Sequence, residues 1–192
     1  MSLGADFTNV DALIEARIRF HLYETKLPQH RVGFRHRGEA INEVAVLAIS
    51  AHLQAFFEVT FLECSQKSEQ RRFSQKEEKK LRQGIEKWGN PNTHNVSALF
   101  ERLGLHDVMV GFRTLRKPAK QVCCELDRLN GARNKLAHGK PPRFKGKPVK
   151  IDLSQVRKWR EEMSEASGKF RFHVLHSMNL PSYIEASRPP EQ

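Results

Sequence analysis

Residues 38–63 are apolar almost all the way round a helix, and nothing else in the chain constrains its fold as much. Ile41, Val44, Val46, Leu47, Ile49, Leu53, Phe56, Phe57, Val59, Phe61 and Leu62, with Ala45 and Ala48 between them, leave no continuous polar face. A helix that is hydrophobic on every side is expected to be buried on every side. Other helices must therefore surround it. In a domain of this size, a second copy of the chain is a candidate cover for one face.

The flanking pattern supplies those helices. Phe7, Val10, Leu13, Ile14 and Ile18 predict an amphipathic helix over residues 6–25, ended by Leu27-Pro28-Gln29. A basic loop with Arg31, Arg35, His36 and Arg37 leads to Gly38, where the long helix opens. Residues 65–80 are polar and charged. Ser74 with Glu77 makes a capping-box pattern for a third helix running to Trp88, and Gly89-Asn90-Pro91-Asn92 is a turn. Short helices fit 95–103 and 107–115. Pro118 stands near the first position of the next helix. Pro141, Pro142, Gly146 and Pro148 argue against regular structure after it. Asp152 with Gln155 opens a last long helix whose inner stripe is Leu153, Val156, Trp159 and Met163. Residues 170–180 fit a strand or a short helix, and 187–192 read as a disordered tail. With no repeats and no linker, the expectation is one all-α domain over 1–192, a bundle of four to six helices around a long central one, with its core in 5–170.

At 192 residues, 39% hydrophobic and 29% charged, the chain has the composition of a soluble globular domain. No apolar run is expected to approach the length of a membrane span. The start lacks the basic and apolar blocks of a signal peptide, with Asp6 and Asp11 coming early. Cys64, Cys123 and Cys124 are too few for a secreted disulfide framework, which suggests a reducing cytoplasm. The net charge of +11 points to a polyanionic partner, nucleic acid more than membrane. That charge is concentrated. Between Gly131 and Lys150 stand Arg133, Lys135, Lys140, Arg143, Lys145, Lys147 and Lys150, with no acid among them.

This basic stretch opens with Arg133-Asn134-Lys135-Leu136-Ala137-His138-Gly139. Spacing alone carries little weight, because Arg31 to His36 and Arg171 to His176 repeat it. Neither repeat has Asn after the Arg, or a small residue before the His and Gly after it. Val122, Leu126, Leu129, Arg133 and Leu136 form one helical stripe, so Arg133 stands where a structural helix would carry Leu. A desolvated guanidinium needs an anion. Asn134 and His138, four apart, share the adjoining face. Two readings stay open. Arg133 pairs with a buried carboxylate while His138 merely sits at a helix C-terminus, or the run is a phosphate site. Glu39, Glu43 and Glu58 are the candidate carboxylates, and the residues alone do not choose among them.

The run resembles the RN-x-x-A-H-G signature of the HEPN superfamily. Ala51-His52-Leu53-Gln54-Ala55-Phe56-Phe57-Glu58 looks like the second helix of such domains. Trp88-Gly89-Asn90-Pro91 and residues 95–105 look like the middle segment of the RiboL-PSP type, and all three fall in the right order over about residues 5–170. The resemblance implies a HEPN-like helical bundle that cuts RNA without a metal or cofactor. Arg133, Asn134 and His138 would be catalytic and Lys135, Lys140, Arg143, Lys145 and Lys147 would bind RNA. It also implies a homodimer that brings two motifs into one cleft, and a role in toxin or phage-defence systems, with an antitoxin or regulatory partner in some members. The tyrosine that such partners modify, two residues past the motif His, is Lys140 here, which puts that control in doubt. The alternatives are a non-catalytic HEPN module that binds RNA, nucleotide or a partner, and, ranked lower, a DNA-binding helical protein, since no recognition helix is visible.

Other chemistry has less support. His173 and His176 lack the partners of a zinc site, and there is no phosphate loop or Gly-x-Ser-x-Gly. His52 reads as a hydrogen-bonded core histidine, with a supporting role at the motif as the alternative.

Overall fold

The computed structural model describes residues 4–24, 33–68, 74–85 and 88–178. The expected helix end at Leu27-Pro28-Gln29, the Arg31 end of the basic loop and the tail at 187–192 lie outside these residues. The fold is all-α, with six helices among the described residues: α1 (Thr8–Glu24), α2 (Gly33–Ser68), α3 (Gln75–Ile85), α4 (Thr93–Glu101), α5 (Ala119–Ala137) and α6 (Leu153–Ser177). A 3-10 turn covers Val108–Gly111, and a two-stranded hairpin pairs β1 (Arg143–Phe144) with β2 (Lys147–Pro148).

Helix α2 is the central element and packs against α1, α5 and α6. Side-chain bonds set the directions of these neighbours. Asn42 donates to the Ile151 carbonyl and Arg171 forks onto Glu63, so α2 and α6 run parallel. Arg160 pairs with Asp11 and the Ala5 N–H donates to Ser167 Oγ, which sets α1 antiparallel to α6. Lys158 with Glu125 and Lys117 with Glu162 do the same for α5. Where the bundle closes, Phe57, Phe100 and Phe112 meet Phe170 edge to face at ring-centroid distances of 5.1, 5.2 and 6.1 Å.

Several expectations change. Helix α2 begins at Gly33, so Arg35, His36 and Arg37 belong to the helix and not to a loop. It also continues past Glu63 to Ser68. Buried Thr60 and Ser65 satisfy their hydroxyls on the carbonyls of Phe56 and Phe61 within the helix itself. Nor is α2 buried all round. Ala40, Val44, Ala51, Ala55 and Val59 are exposed along one face, with Val44 at 49% and Val59 at 46%. With Glu43 the one charged residue between 40 and 57, the stretch Gly38–Ser68 is long and apolar enough to cross a membrane. The expectation that no such run exists is therefore corrected. Half of the most apolar part of that stretch is buried inside the bundle.

Farther along, the capping box forms as expected, with Glu77 accepting from the Ser74 N–H at 2.8 Å and Ser74 Oγ from the Glu77 N–H. The helix expected over 107–115 is only the 3-10 turn, entered through Asp107 in the left-handed region and followed by a loop that Thr114 and Lys117 close on themselves. Residues 170–177 simply extend α6, because Phe170 and Val174 keep its apolar stripe in the core. His52 is half-buried, with its ring meeting Phe7 edge-on at 6.0 Å, so it is not a core histidine.

Phe170 is fully buried among four other aromatic rings. Phe170→Ala is expected to cost about 3–5 kcal/mol of stability, read as a lower urea midpoint at unchanged slope.

Candidate functional site

Helix α5 carries the motif, and its position is set from within. Asn130, 2% exposed, accepts from Ser50 Oγ of α2 at 2.9 Å and donates Nδ2 to the carbonyls of Pro91 and Leu126. Because α2 and α5 are antiparallel and level at Ser50 and Asn130, residues 43–47 of α2 stand level with 133–137 of α5. The bond to Pro91 draws in the turn before α4. Its Asn90 then donates Nδ2 to Asn134 Oδ1 at 2.6 Å, while Asn95 donates to the Asn90 carbonyl at 2.8 Å. Asn92 caps α4, and Asp127 of α5 accepts from the Thr93 N–H.

The stripe on α5 is placed as the periodicity indicated, up to the motif. Val122, Leu126 and Leu129 are fully buried, but Arg133 and Leu136 are only half-buried, because the helix end emerges from the bundle. Arg133 is thus less desolvated than its stripe position implied. Among the described residues it forms no ion pair, and its hydrogen bond is from Nη1 to Asn134 Oδ1 at 3.3 Å. Asn134 therefore accepts from both Asn90 and Arg133. Glu58 is occupied elsewhere, accepting from Trp88 Nε1 and Gln54 Nε2 at 3.2 Å each. Glu39 and Glu43 line a surface cavity beside Pro142 and Lys150, just beyond the motif.

Helix α5 ends as Gly139 requires. With φ at +63°, Gly139 lets the Lys140 N–H reach the Lys135 carbonyl at 2.8 Å while its own N–H reaches Leu136 at 2.9 Å. His138 is the capping residue, exposed at the helix C-terminus. Arg133, Asn134 and Asn90 thus form one bonded group, and His138 follows one turn later, open to solvent. Lys135, Lys140, Arg143, Lys145 and Lys147 are all exposed.

The expected irregular basic loop is a hairpin. Its turn, Lys145-Gly146, has positive φ at both positions (49° and 78°), as a two-residue type I′ turn needs. Phe144 packs on α5 at Gly131, where a Cβ would lie 3.3 Å from its ring, and the Lys145 ammonium lies over the same ring. At the base, Val149 N–H bonds to Pro142, and Lys150 is spent on Asp152. Hydrogen bonds from Ser154 and the Gln155 N–H hold the Asp152 carboxyl down at about 2. Arg143, Lys145 and Lys147 are left on a pinned scaffold alongside the motif helix.

Sequence reasoning missed Asn90 as a site residue. It was legible as a turn residue, but its contact with Asn134 spans 44 positions and no local pattern encodes it. Among the described residues no group of three or more His, Cys, Asp and Glu side chains converges as metal ligands would.

Arg133 and Asn130 are expected to separate cleanly in thermal melts. Arg133→Ala breaks no ion pair and should shift the midpoint by only a few degrees. Asn130→Ala strands the Ser50 hydroxyl and the Pro91 carbonyl and should cost about 2–4 kcal/mol. A large fall for Arg133→Ala would mean that the guanidinium serves the fold. In comparisons with known proteins, no family model, no curated protein and no solved structure matches the chain.

Proposed function

We propose that the chain is a metal-independent endoribonuclease of HEPN type that cuts single-stranded RNA in the cytoplasm, as a toxin or phage-defence effector. The observation that carries this reading is the state of Arg133. Among the described residues it is a half-buried guanidinium without a carboxylate, bonded to Asn134, one turn before an exposed histidine and beside three exposed bases on a hairpin. A guanidinium left without a carboxylate at the surface is free to take a phosphate from outside the chain.

The chemistry follows from these groups. One imidazole takes the proton of a ribose 2′-OH, whose oxygen attacks the adjacent phosphorus. A second imidazole protonates the departing 5′-oxygen. The products are a 2′,3′-cyclic phosphate and a 5′-OH. Arg133 offers two parallel N–H donors to the non-bridging oxygens, whose charge grows in the transition state. Asn134, steadied by Asn90, holds Arg133 in place. A single His138 cannot donate and accept at once, so the reading includes a homodimer. The exposed apolar face of α2, from Ala40 to Val59 and level with the motif, is the surface that a second copy would cover. An antitoxin or other regulatory partner belongs to the same proposal.

Labelled single-stranded RNA incubated with the purified chain in EDTA should be cut and end in cyclic phosphate. His138→Ala and Arg133→Ala should each lower the rate by about 10²–10⁴-fold in folded protein. RNA bound but never cut by the wild type would favour the non-catalytic binding module instead.

The hairpin should supply affinity and not chemistry. Each phosphate contact to single-stranded RNA contributes about −0.7 to the slope of log affinity against log salt. Changing Arg143, Lys145 and Lys147 to Ala should flatten that slope by up to roughly two units, with cleavage largely restored at saturating RNA. An unchanged slope would move the RNA path off the hairpin.

A further inference from the structure

A second cluster of cationic and aromatic side chains lies at the far end of the molecule from the motif. Lys117 pairs with Glu162, and the Leu115 N–H donates to Glu165, so the last third of α6 projects past the start of α5. There a cavity of about 650 Å³ is lined by Arg113, Glu165, Lys169, Phe172, His173 and His176, with Gly111 packed directly on His173. The 19 residues of α5 separate it from His138, about 28 Å at 1.5 Å per residue.

The charges in this cavity are poorly balanced. Among the described residues that line it, Glu165 is the one acid, and it is already shared between the Leu115 N–H and Lys169, the latter at 3.5 Å. Arg113 is exposed and forms no ion pair among the described residues. Burial, and after it the nearby Arg113, lowers the pKa of His173, so its imidazole offers the cavity a neutral hydrogen-bonding ring. Beside them Phe172 is 69% exposed, and its ring lies parallel to that of His176, with 4° between planes and 5.8 Å between centroids. A large aromatic ring left open to water beside Arg113, a cation with no ion pair among the described residues, is a pairing that binds a base and its phosphate together.

We propose that this cavity is a binding site for a nucleoside monophosphate. The phosphate sits against Arg113, Lys169 and His173, and the base stacks on the open face of Phe172. A cavity of about 650 Å³ falls within the range of small-molecule sites and takes one nucleotide. The site is separate from the proposed cleavage motif, and binding is measured without RNA, so the two readings fail independently.

The test is calorimetric titration of the full chain with AMP, adenosine and inorganic phosphate. AMP should bind at least about ten-fold more tightly than either fragment. Arg113→Ala and Phe172→Ala, both changes of exposed side chains, should each weaken AMP about ten-fold through the lost phosphate contact or the lost stacking. His138→Ala should bind AMP as the wild type does. AMP binding no tighter than phosphate, or unaffected by both variants, overturns the proposal. So does binding that is lost in His138→Ala, which would place the nucleotide at the motif. A fall in single-stranded RNA affinity in the Arg113 and Phe172 variants, with no AMP binding, also overturns it and makes the surface an RNA contact.

Discussion

The Asn130 amide holds the arrangement together. Fully buried, it uses one oxygen and one nitrogen to join three elements: α2 through Ser50, α5 through its own helix, and the turn before α4 through Pro91. A buried amide with unmet bonds is costly, so this geometry is favoured in one register only. The register then fixes what the motif end of α5 faces. It sets residues 43–47 of α2 level with the motif and brings Asn90 to Asn134. Asn134 in turn accepts from Arg133. The site is thus a chain of amides anchored in the core, ending in a guanidinium at the surface.

The core around that node is unusually aromatic. Phe57 and Phe170 meet at right angles, with Phe100 and Phe112 against the same ring. Such contacts restrict how helices slide, since a shift of one residue turns rings out of their slots. The other face of α2 has no such partners among the described residues. Its exposed residues are alanine and valine, small and apolar, over several turns. A surface of this kind is costly in water and easily covered by another helix at close approach. The same helix therefore organises one bundle and offers a face for joining two.

Electrostatics divides along the chain. Carboxylates are spent on the fold: Asp11 on Arg160, Glu63 on Arg171 and Glu125 on Lys158. Burial works against the charge of Glu125, but hydrogen bonds from Lys158 and the Trp159 indole hold its carboxyl below the usual range. What remains unpaired among the described residues includes Arg133 and the bases of the hairpin at one end, and Arg113 at the other. Free thiols play no part in this division. Burial pushes Cys64 up to about 12 and Cys123 up to about 11, which keeps both protonated and unreactive.

The helical class, the central role of α2, the caps at Ser74 and Asp152 and the end of α5 at Gly139 were all legible from sequence, because each rests on contacts within a few residues. Periodicity also placed Val122, Leu126 and Leu129 in the core. It went wrong where local signals compete with packing. Pro141, Pro142 and Pro148 argued against regular structure, yet Phe144 pins a hairpin to Gly131. Residues 107–115 looked helical, yet the chain there closes into a 3-10 turn against α6. Which face of α2 stays open, whether Arg133 meets a carboxylate, and that Asn90 reaches Asn134 were decided only in three dimensions. Each depends on the relative height and rotation of helices far apart in the chain, and a side chain carries no local record of what a distant helix will bring to it.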